Sequence, residues 1–374
     1  MLEIILDPYN YPFWILIIAT IAGAIAIISR PFSTYVKFVY PNAKFEAIGN
    51  PFITENELNK VVENKNLSDF KDSLNSSKNY NVTGESIFEI QQSLDKNFVK
   101  TIEMMQKDSS KKMKAFYNAY IQKLDNYLLK NTLKNKFGNK KIDEKTAENA
   151  ILPSTKNLIL DIIASDKEKI AEILKSKEFD KKILEVLSEE TVDNLKIDTA
   201  IDKYIINKIR QVKVPYKCDK AKQHFLNSYI DIVNVKNTLR AKQLGYDEKA
   251  IKELYLGEGQ EIAKWKLKEI SEADSVAQVI SALEGTSLYD PLKNSIEKYN
   301  HEETVQVLEN ALDGHFIKLV KDISIQNYSS IGPTLRFIVS KEFEINNLKI
   351  IVKGIGEGLS SNLFKSLLVK EASL

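Results

Sequence analysis

Apolar residues recur at intervals of three and four along most of this chain, and one such pattern appears three times. In residues 55–80 the spacing fits two short amphipathic helices joined by a turn. The same spacing returns at residues 265–289 and, with one extra residue in the connection, at residues 160–179. Asn66 and Ser275 precede the second helix of their pairs and are typical N-cap residues. The apolar positions are Leu58, Val61, Leu67, Phe70, Leu74 and Tyr80, then Leu160, Ile163, Ile170 and Ile173, then Leu267, Ile270, Val276, Val279, Leu283 and Tyr289.

A second repeat contains the letters KNTL. DNYLLKNTLKNK begins at Asp125, DIVNVKNTLRAK begins at Asp231, and a weaker third copy, EINNLKIIVKGIGEG, begins at Glu344. A glycine follows each copy, and glycine after a helical run commonly ends the helix. The pattern therefore predicts one longer helix per copy. The matching lysines are Lys130, Lys236 and Lys349, and the glycines are Gly138, Gly245 and Gly354.

The helix pair and the longer helix recur in step. The matching lysine follows the start of the second short helix by 63, 66 and 73 residues in the three copies. Because one such module cannot bury its apolar stripe alone, three of them should pack around one another. We therefore predict an all-α fold with three similar helical lobes at residues 38–140, 141–262 and 263–374. Residues 1–37 are predicted to be a membrane anchor and linker.

The anchor prediction rests on residues 8–29, which contain no charged side chain. As a helix these 22 residues would span about 33 Å, enough for a hydrocarbon core of about 30 Å. A secretory signal peptide and a buried core helix are the alternatives, but Glu3 and Asp7 come first where a signal peptide needs basic residues. Because Arg30 and Lys37 follow the segment, the larger part of the chain is predicted to lie in the cytoplasm.

Composition argues against two classes of protein. Lys and Arg number 53 and Asp and Glu 51, interspersed rather than clustered by sign, whereas a nucleic-acid platform needs a basic face. Cys218 is the single cysteine, which excludes an internal disulfide framework and fits a reducing compartment. We interpret it as a buried or incidental thiol.

Motifs for catalysis are not found in the sequence. Walker, GxSxG and CxxC patterns are missing, and the HEETV at His301 has Val305 where a zinc-binding HExxH needs its second histidine. KGIGEGLS at 353–360 resembles a nucleotide loop, but too little chain follows it for a dinucleotide fold, so it is interpreted as a helix end. We predict no catalytic residue, no metal and no cofactor.

Polar residues on the second KNTL helix are the candidate functional positions. Asp231, Asn234, Lys236 and Arg240 lie on an otherwise apolar segment. Unpaired and buried, each would cost a few kcal/mol, so we expect hydrogen bonds between lobes to fix them. Contact with another protein of a complex is the alternative.

Four segments carry a resemblance to a known family. VYPNAKFEAI at 39–48, ELYLGEGQEI at 253–262, YIDIVNVKNTLRAKQLG at 229–245 and FIVSKEFEINNLKIIVKG at 337–354 resemble motifs of the C subunit of the archaeal A-type ATP synthase, which is related to the d subunit of the vacuolar ATPase. The resemblance extends from Val39 to the end of the chain. Gly257 stands where the family usually has proline, and the uncharged segment before residue 30 is an addition to the family pattern.

The resemblance implies a funnel with pseudo-threefold symmetry, seated between a rotating central stalk and a membrane ring of proteolipid subunits. It implies a non-catalytic protein at the cytoplasmic face of the cell membrane, with stalk subunits and the ring as partners and no nucleic acid. A membrane-anchored helical adaptor of another complex is the first alternative. An enzyme that uses the terminal glycines is the second.

Overall fold

The computed structural model describes residues 9–49, 53–77, 79–189 and 192–371. Pro8 and the acidic residues Glu3 and Asp7 lie outside this part of the chain. Within it the secondary structure is helical and contains no strand, so the predicted all-α class is confirmed.

Seventeen α-helices are described, and two short 3-10 helices lie at Lys111–Met113 and Glu144–Asn149. In chain order the α-helices are α1 (Tyr11–Ile48), α2 (Glu55–Val62), α3 (Leu67–Asn75), α4 (Ile87–Asp108), α5 (Lys114–Phe137), α6 (Pro153–Ala164), α7 (Lys167–Ser176), α8 (Lys181–Leu187), α9 (Asn194–Gln211), α10 (Cys218–Gln243), α11 (Glu248–Glu253), α12 (Lys264–Glu272), α13 (Val276–Ala282), α14 (Tyr289–Glu302), α15 (Gln306–Gln326), α16 (Gly332–Gly356) and α17 (Ser361–Lys365).

The predicted pairs of short helices are present as α2–α3, α6–α7 and α12–α13. Both predicted N-caps are confirmed, because Asn66 accepts from the N–H of Asp69 and Ser275 accepts from the N–H of Gln278. Such caps satisfy backbone donors that a helix start otherwise leaves unpaired. Each pair packs on a KNTL-type helix: α6 on α5, α13 on α10, and α3 on α16.

The long helices form three antiparallel hairpins, α4–α5, α9–α10 and α15–α16. We call α5, α10 and α16 the lysine helices, since they carry Lys130, Lys236 and Lys349. The first helix of each hairpin, α4, α9 or α15, is called an aspartate helix for a reason given below. Each lysine helix packs on the aspartate helix of another hairpin: α5 on α9, α10 on α15, and α16 on α4. The contacts therefore return to the first hairpin.

Glycine ends the lysine helices differently from the prediction. Gly245 follows α10 in the left-handed conformation, with φ 76°, as expected of a helix C-terminus. After α5, however, Gly138 has φ −78° and Asn139 takes the left-handed position instead. The prediction was wrong for Gly354, which lies inside α16 because its missing side chain leaves room for the ring of Phe364. Gly358 is the left-handed residue there.

The uncharged segment continues into the body of the protein without the predicted linker. α1 is one helix of 38 residues that includes Pro31 and Pro41. Its first half is exposed, whereas one face of its second half is buried through Thr34, Phe38 and Phe45. Phe45 stacks on Phe337 of α16 with ring centroids 5.0 Å apart. The apolar half is thus attached to the core by helical backbone.

Candidate functional site

Three ion pairs join the hairpins at the repeated lysine. Lys130 Nζ lies 2.5 Å from Asp202 Oδ1, and Lys236 Nζ lies 2.5 Å from Asp313 Oδ1. The third pair, Lys349 Nζ to Asp95 Oδ1, also measures 2.5 Å. The lysines are on α5, α10 and α16 and their partners are on α9, α15 and α4, which is why the latter are the aspartate helices. Equivalent residues therefore make equivalent contacts around a closed cycle.

At two of these interfaces, a second ionic contact lies one helical turn further along the lysine helix. The Arg240 guanidinium binds both carboxylate oxygens of Glu309, at 2.5 and 2.6 Å. Lys134 occupies the equivalent position on α5 and pairs with Asp198 at 2.9 Å. At the third interface the aspartate helix carries Gln91 at this level, and its side chain donates to the Lys349 carbonyl. Lys236 and Arg240, which belong to residues 141–262, thus bind acidic side chains that belong to residues 263–374.

A carboxylate five residues before each lysine accepts backbone N–H groups where the next short helix pair begins. Asp231 accepts from Gln260 and Glu261 at 2.8 and 2.7 Å, and from Ile262 at 3.2 Å. Asp125 accepts from the N–H groups of residues 151 and 152, just before α6. Glu344 accepts from the N–H of residue 53, just before α2, so these carboxylate contacts also connect the last repeat to the first.

Asn234 fixes the same connection as Asp231. Its side chain donates to the Gly257 carbonyl at 2.8 Å and accepts from the Leu256 N–H at 2.8 Å. Asn347, the matching residue of α16, holds Val369 in the same two-way manner. A side chain at Gly259 would meet the Asp231 carboxylate at 1.7 Å, so only glycine fits this turn. Asp231 and Asn234 therefore hold the segment that leads into residues 263–374.

The three lysine helices meet at residues seven positions before the lysines, namely Lys123, Tyr229 and Glu342. Lys123 Nζ lies 2.7 Å from Glu342 Oε1 and 5.0 Å from the centre of the Tyr229 ring. The Tyr120 hydroxyl also donates to Glu342. We call Lys123, Tyr229 and Glu342 the central node. Because equivalent residues of three helices touch here, the node marks the line around which the repeats are arranged.

A cavity opens beside the central node, on the side toward the C-terminal ends of the lysine helices. The node residues line it together with two of the repeated ion pairs, Lys130–Asp202 and Lys349–Asp95. Two exposed aromatic side chains, Phe88 and Tyr127, also face it. The cavity wall therefore combines paired charges with exposed aromatic side chains, and aromatic side chains are enriched at protein–protein interfaces.

Burial changes the proton affinity of several of these groups. It raises the pKa of Asp231 to about 6, although three backbone N–H groups oppose the change. Burial likewise raises the pKa of Asp125, and it raises that of Tyr229 well above its usual value. In Asp313 burial raises the pKa against the opposing effect of Lys236. These shifts accompany packing and pairing with neighbours.

Cys218, His301 and His315 do not line the cavity beside the central node. Cys218 is buried, as predicted, and burial raises its pKa to about 11. His315 is buried and lies 3.0 Å from Ser287 Oγ, and His301 is exposed. The described part of the chain contains no group of three or more His, Cys, Asp or Glu residues that could hold a metal. KGIGEGLS forms the end of α16 and the turn after it, as interpreted from the sequence.

Sequence reasoning missed the acidic partners of the repeated lysines. The signal was present, since Asp95, Asp202 and Asp313 precede their hairpin's lysine by 35, 34 and 36 residues. This spacing corresponds to the path from the aspartate, through the turn of the hairpin, to the lysine on the next helix. The local sequence carries the same signal, because SLDKNF, AIDKYI and ALDGHF each place an aliphatic residue directly before the aspartate and an apolar residue three positions after it.

The fold and the site define a structural protein, an all-helical body whose buried charges are used for pairing. A family model described as ATP synthase (C/AC39) subunit matches residues 41–367. The chain belongs to this family. It is a non-catalytic subunit, and the family places it in a membrane-associated complex.

Archaeal relatives agree with the family model. The A-type ATP synthase C subunit of Methanobrevibacter smithii is 29% identical over 348 residues, covering 89% of this chain and 88% of the relative. The same subunit of Methanothermobacter thermautotrophicus is 27% identical, covering 93% and 92%. That of Thermococcus kodakarensis is 26% identical, covering 88% and 90%. The chain is thus similar to these proteins over nearly their whole length.

Proposed function

We propose that this chain couples the central rotor stalk to the membrane proteolipid ring of an archaeal rotary A-type ATP synthase. The family membership and the names of the relatives support the complex. The observation that carries the coupling role is the closed cycle of three equivalent Lys–Asp contacts around the central node. A protein that passes on torque must resist twisting, and a closed ring of packed helices resists it better than an open array.

In this proposal the repeats are three lobes at residues 38–140, 141–262 and 263–374. The lysine and aspartate helices form the contacts between lobes, with Lys236 and Arg240 between the second and third. Asp231 and Asn234 hold the passage from one lobe to the next. Their role is structural, because each has partners within the chain.

The cavity beside the central node is proposed to receive the tip of the stalk. Exposed aromatic side chains supply large contact area at low cost in conformational entropy. Tyr127 lies on the cavity wall and is 72% exposed, although buried residues precede and follow it along α5. An exposed aromatic residue of this kind suits a partner that enters the cavity.

The helix α1 is proposed to anchor the protein in the cell membrane, with the body on the cytoplasmic face. It is the one described helix long and apolar enough to span a membrane, and its 18-residue apolar window is 0% buried with mean hydropathy 2.3. Arg30 and Lys37 follow the apolar half, on the side of the body. Tyr11 at one end and Phe32 and Tyr35 at the other are exposed, as aromatic residues are at membrane interfaces.

The proposal is tested by purifying the tagged full-length chain from native membranes. We expect stalk subunits and proteolipid to purify with it. Tyr127→Ala should weaken retention of the stalk about tenfold, as loss of a central aromatic contact does, while the proteolipid remains. Trp265→Ala is the matched control, because Trp265 is 65% exposed and does not line the cavity. Purification with neither partner, or with a different complex, would favour the adaptor alternative.

A further inference from the structure

The packed half of α1 contacts the same end of all three hairpins, at the turn in two of them and at the last residue of the aspartate helix in the third. Lys44 Nζ lies 2.6 Å from Asp108 Oδ2, at the end of α4. Asn42 donates to the carbonyls of Tyr328 and Ser330, at 2.8 and 3.0 Å, in the turn before α16. Thr34 donates to the Tyr216 carbonyl at 3.2 Å, in the turn before α10. These contacts lie within eleven residues of α1, from Thr34 to Lys44, or about 15 Å of helix.

The start of α10 also lies against the turn before α16. We call residues 109–113, 212–217 and 327–331 the turn end of the body. The Cys218 thiol lies within hydrogen-bonding reach of Ser330 and of the Ile331 backbone. On each lysine helix the central node comes about ten residues after the turn, or about 15 Å. The turn end and the cavity therefore lie on opposite sides of the node, and α1 crosses the turn end.

The packed half of α1 contacts the body as far as Arg30, and the apolar half begins directly beyond it. The Arg30 guanidinium lies 5.9 Å from the centre of the Tyr216 ring. From Tyr11 to Ser29 the side chains carry no charge, and these 19 residues span about 28 Å as a helix. The position of this half is thus set by the turn end of the body and not by a flexible tether.

Resting on the proposed function, we infer that Tyr11–Ser29 crosses the membrane inside the proteolipid ring, close to the rotation axis, surrounded by the lipid that the ring encloses. A helix that turned with the ring but lay outside it would meet the stationary membrane subunit once in every revolution. Placement inside the ring removes this collision. Because the packed half of α1 contacts the same end of all three hairpins, the exposed half leaves the body from the end that would face the ring.

The surface of the exposed half suits lipid on every side. Its large apolar side chains are distributed around the whole helix and are each more than half exposed. A helix meant for a protein groove would show one apolar face and one polar face. The side chains concerned are Ile15, Leu16, Ile18, Ile21, Ile25, Ile27 and Ile28.

The test uses site-specific photocrosslinking in the assembled complex in native membranes. A photoreactive amino acid at Ile25 should crosslink to the proteolipid and to lipid. The same probe at Leu244, an exposed residue after the C-terminal end of α10, should not reach the proteolipid. Crosslinks from position 25 to the stationary membrane subunit, with none to the proteolipid, would overturn the inference.

A second measurement distinguishes a helix that is not in the membrane at all. Ala26→Cys in a Cys218→Ala background should resist a membrane-impermeant thiol reagent in the intact complex, and ready labelling would contradict the inference. Failure of the proposed function has a different signature, because the ring would then be missing from the purified material. An intact complex with the wrong crosslink rejects only the position of α1.

Discussion

Asp231 couples the stability of the protein to pH through its buried carboxyl. Because its pKa is about 6 in the folded chain and near 4 when unfolded, the folded state binds the proton more tightly. Its contribution to the free energy of unfolding should therefore decrease as pH rises from about 4 to 6, by about 3 kcal/mol at most. Above that range the contribution stays constant.

Asp231→Asn isolates this effect, since it removes the titration and retains one acceptor oxygen. Denaturant unfolding of the full chain in detergent, at a series of pH values from 4 to 7, gives the difference between the two proteins. The free energy of unfolding of the variant minus that of the wild type should increase as pH rises across this window. Asp125→Asn should act in the same direction, since burial raises that pKa too. A constant difference would contradict a burial-raised pKa.

Among the elements, the interfaces between hairpins depend on partly buried ion pairs. The side chains of Lys236 and Asp313 are 14% and 20% exposed, so solvent screens their attraction only partly. A double-mutant cycle on Lys236→Ala and Asp313→Ala should give a coupling energy of about 1 kcal/mol or more. Lys181 and Glu185 of α8 provide the control, because this exposed pair should couple by only about 0.3–0.5 kcal/mol. Equal coupling in the two pairs would show that the interface pair is effectively solvated.

The sequence predicts the helices of this fold better than their contacts. Periodicity and capping depend on neighbouring residues, so the short pairs and the caps at Asn66 and Ser275 could be identified. The helix end at Gly354 was misjudged because that glycine is required by the distant Phe364, which no local pattern indicates. The helix across Pro31 was also missed, since proline usually interrupts a helix and here the backbone continues into a buried face.

The same limit applies to the site. Asp231 was recognisable as a polar residue in an apolar stretch, but its partners are backbone N–H groups about thirty residues away. Backbone donors carry no sequence signature. The central node was not predicted, since its three equivalent positions hold the chemically different residues Lys123, Tyr229 and Glu342. A repeat in space therefore need not appear as a repeat in sequence.

At the scale of the whole molecule, the cycle of contacts closes between the first and last hairpins. α16 packs on α4 and Lys349 pairs with Asp95, more than 250 residues apart in sequence. In an open array of repeats this interface would not exist, and the first hairpin would have one free side. Closure instead makes each hairpin depend on two others.

Lys349→Ala should therefore loosen two distant parts of the chain together. We expect faster amide hydrogen exchange in both α4 and α16, because the variant weakens their shared interface, while α9 keeps its protection in its contact with α5. Lys130→Ala is the matched variant. It should speed amide hydrogen exchange in α5 and α9 and leave exchange at the end of α16 unchanged. Exchange that rises only within the hairpin of each mutated lysine would mean that the hairpins are stable independently and that the closed cycle does not stiffen the molecule.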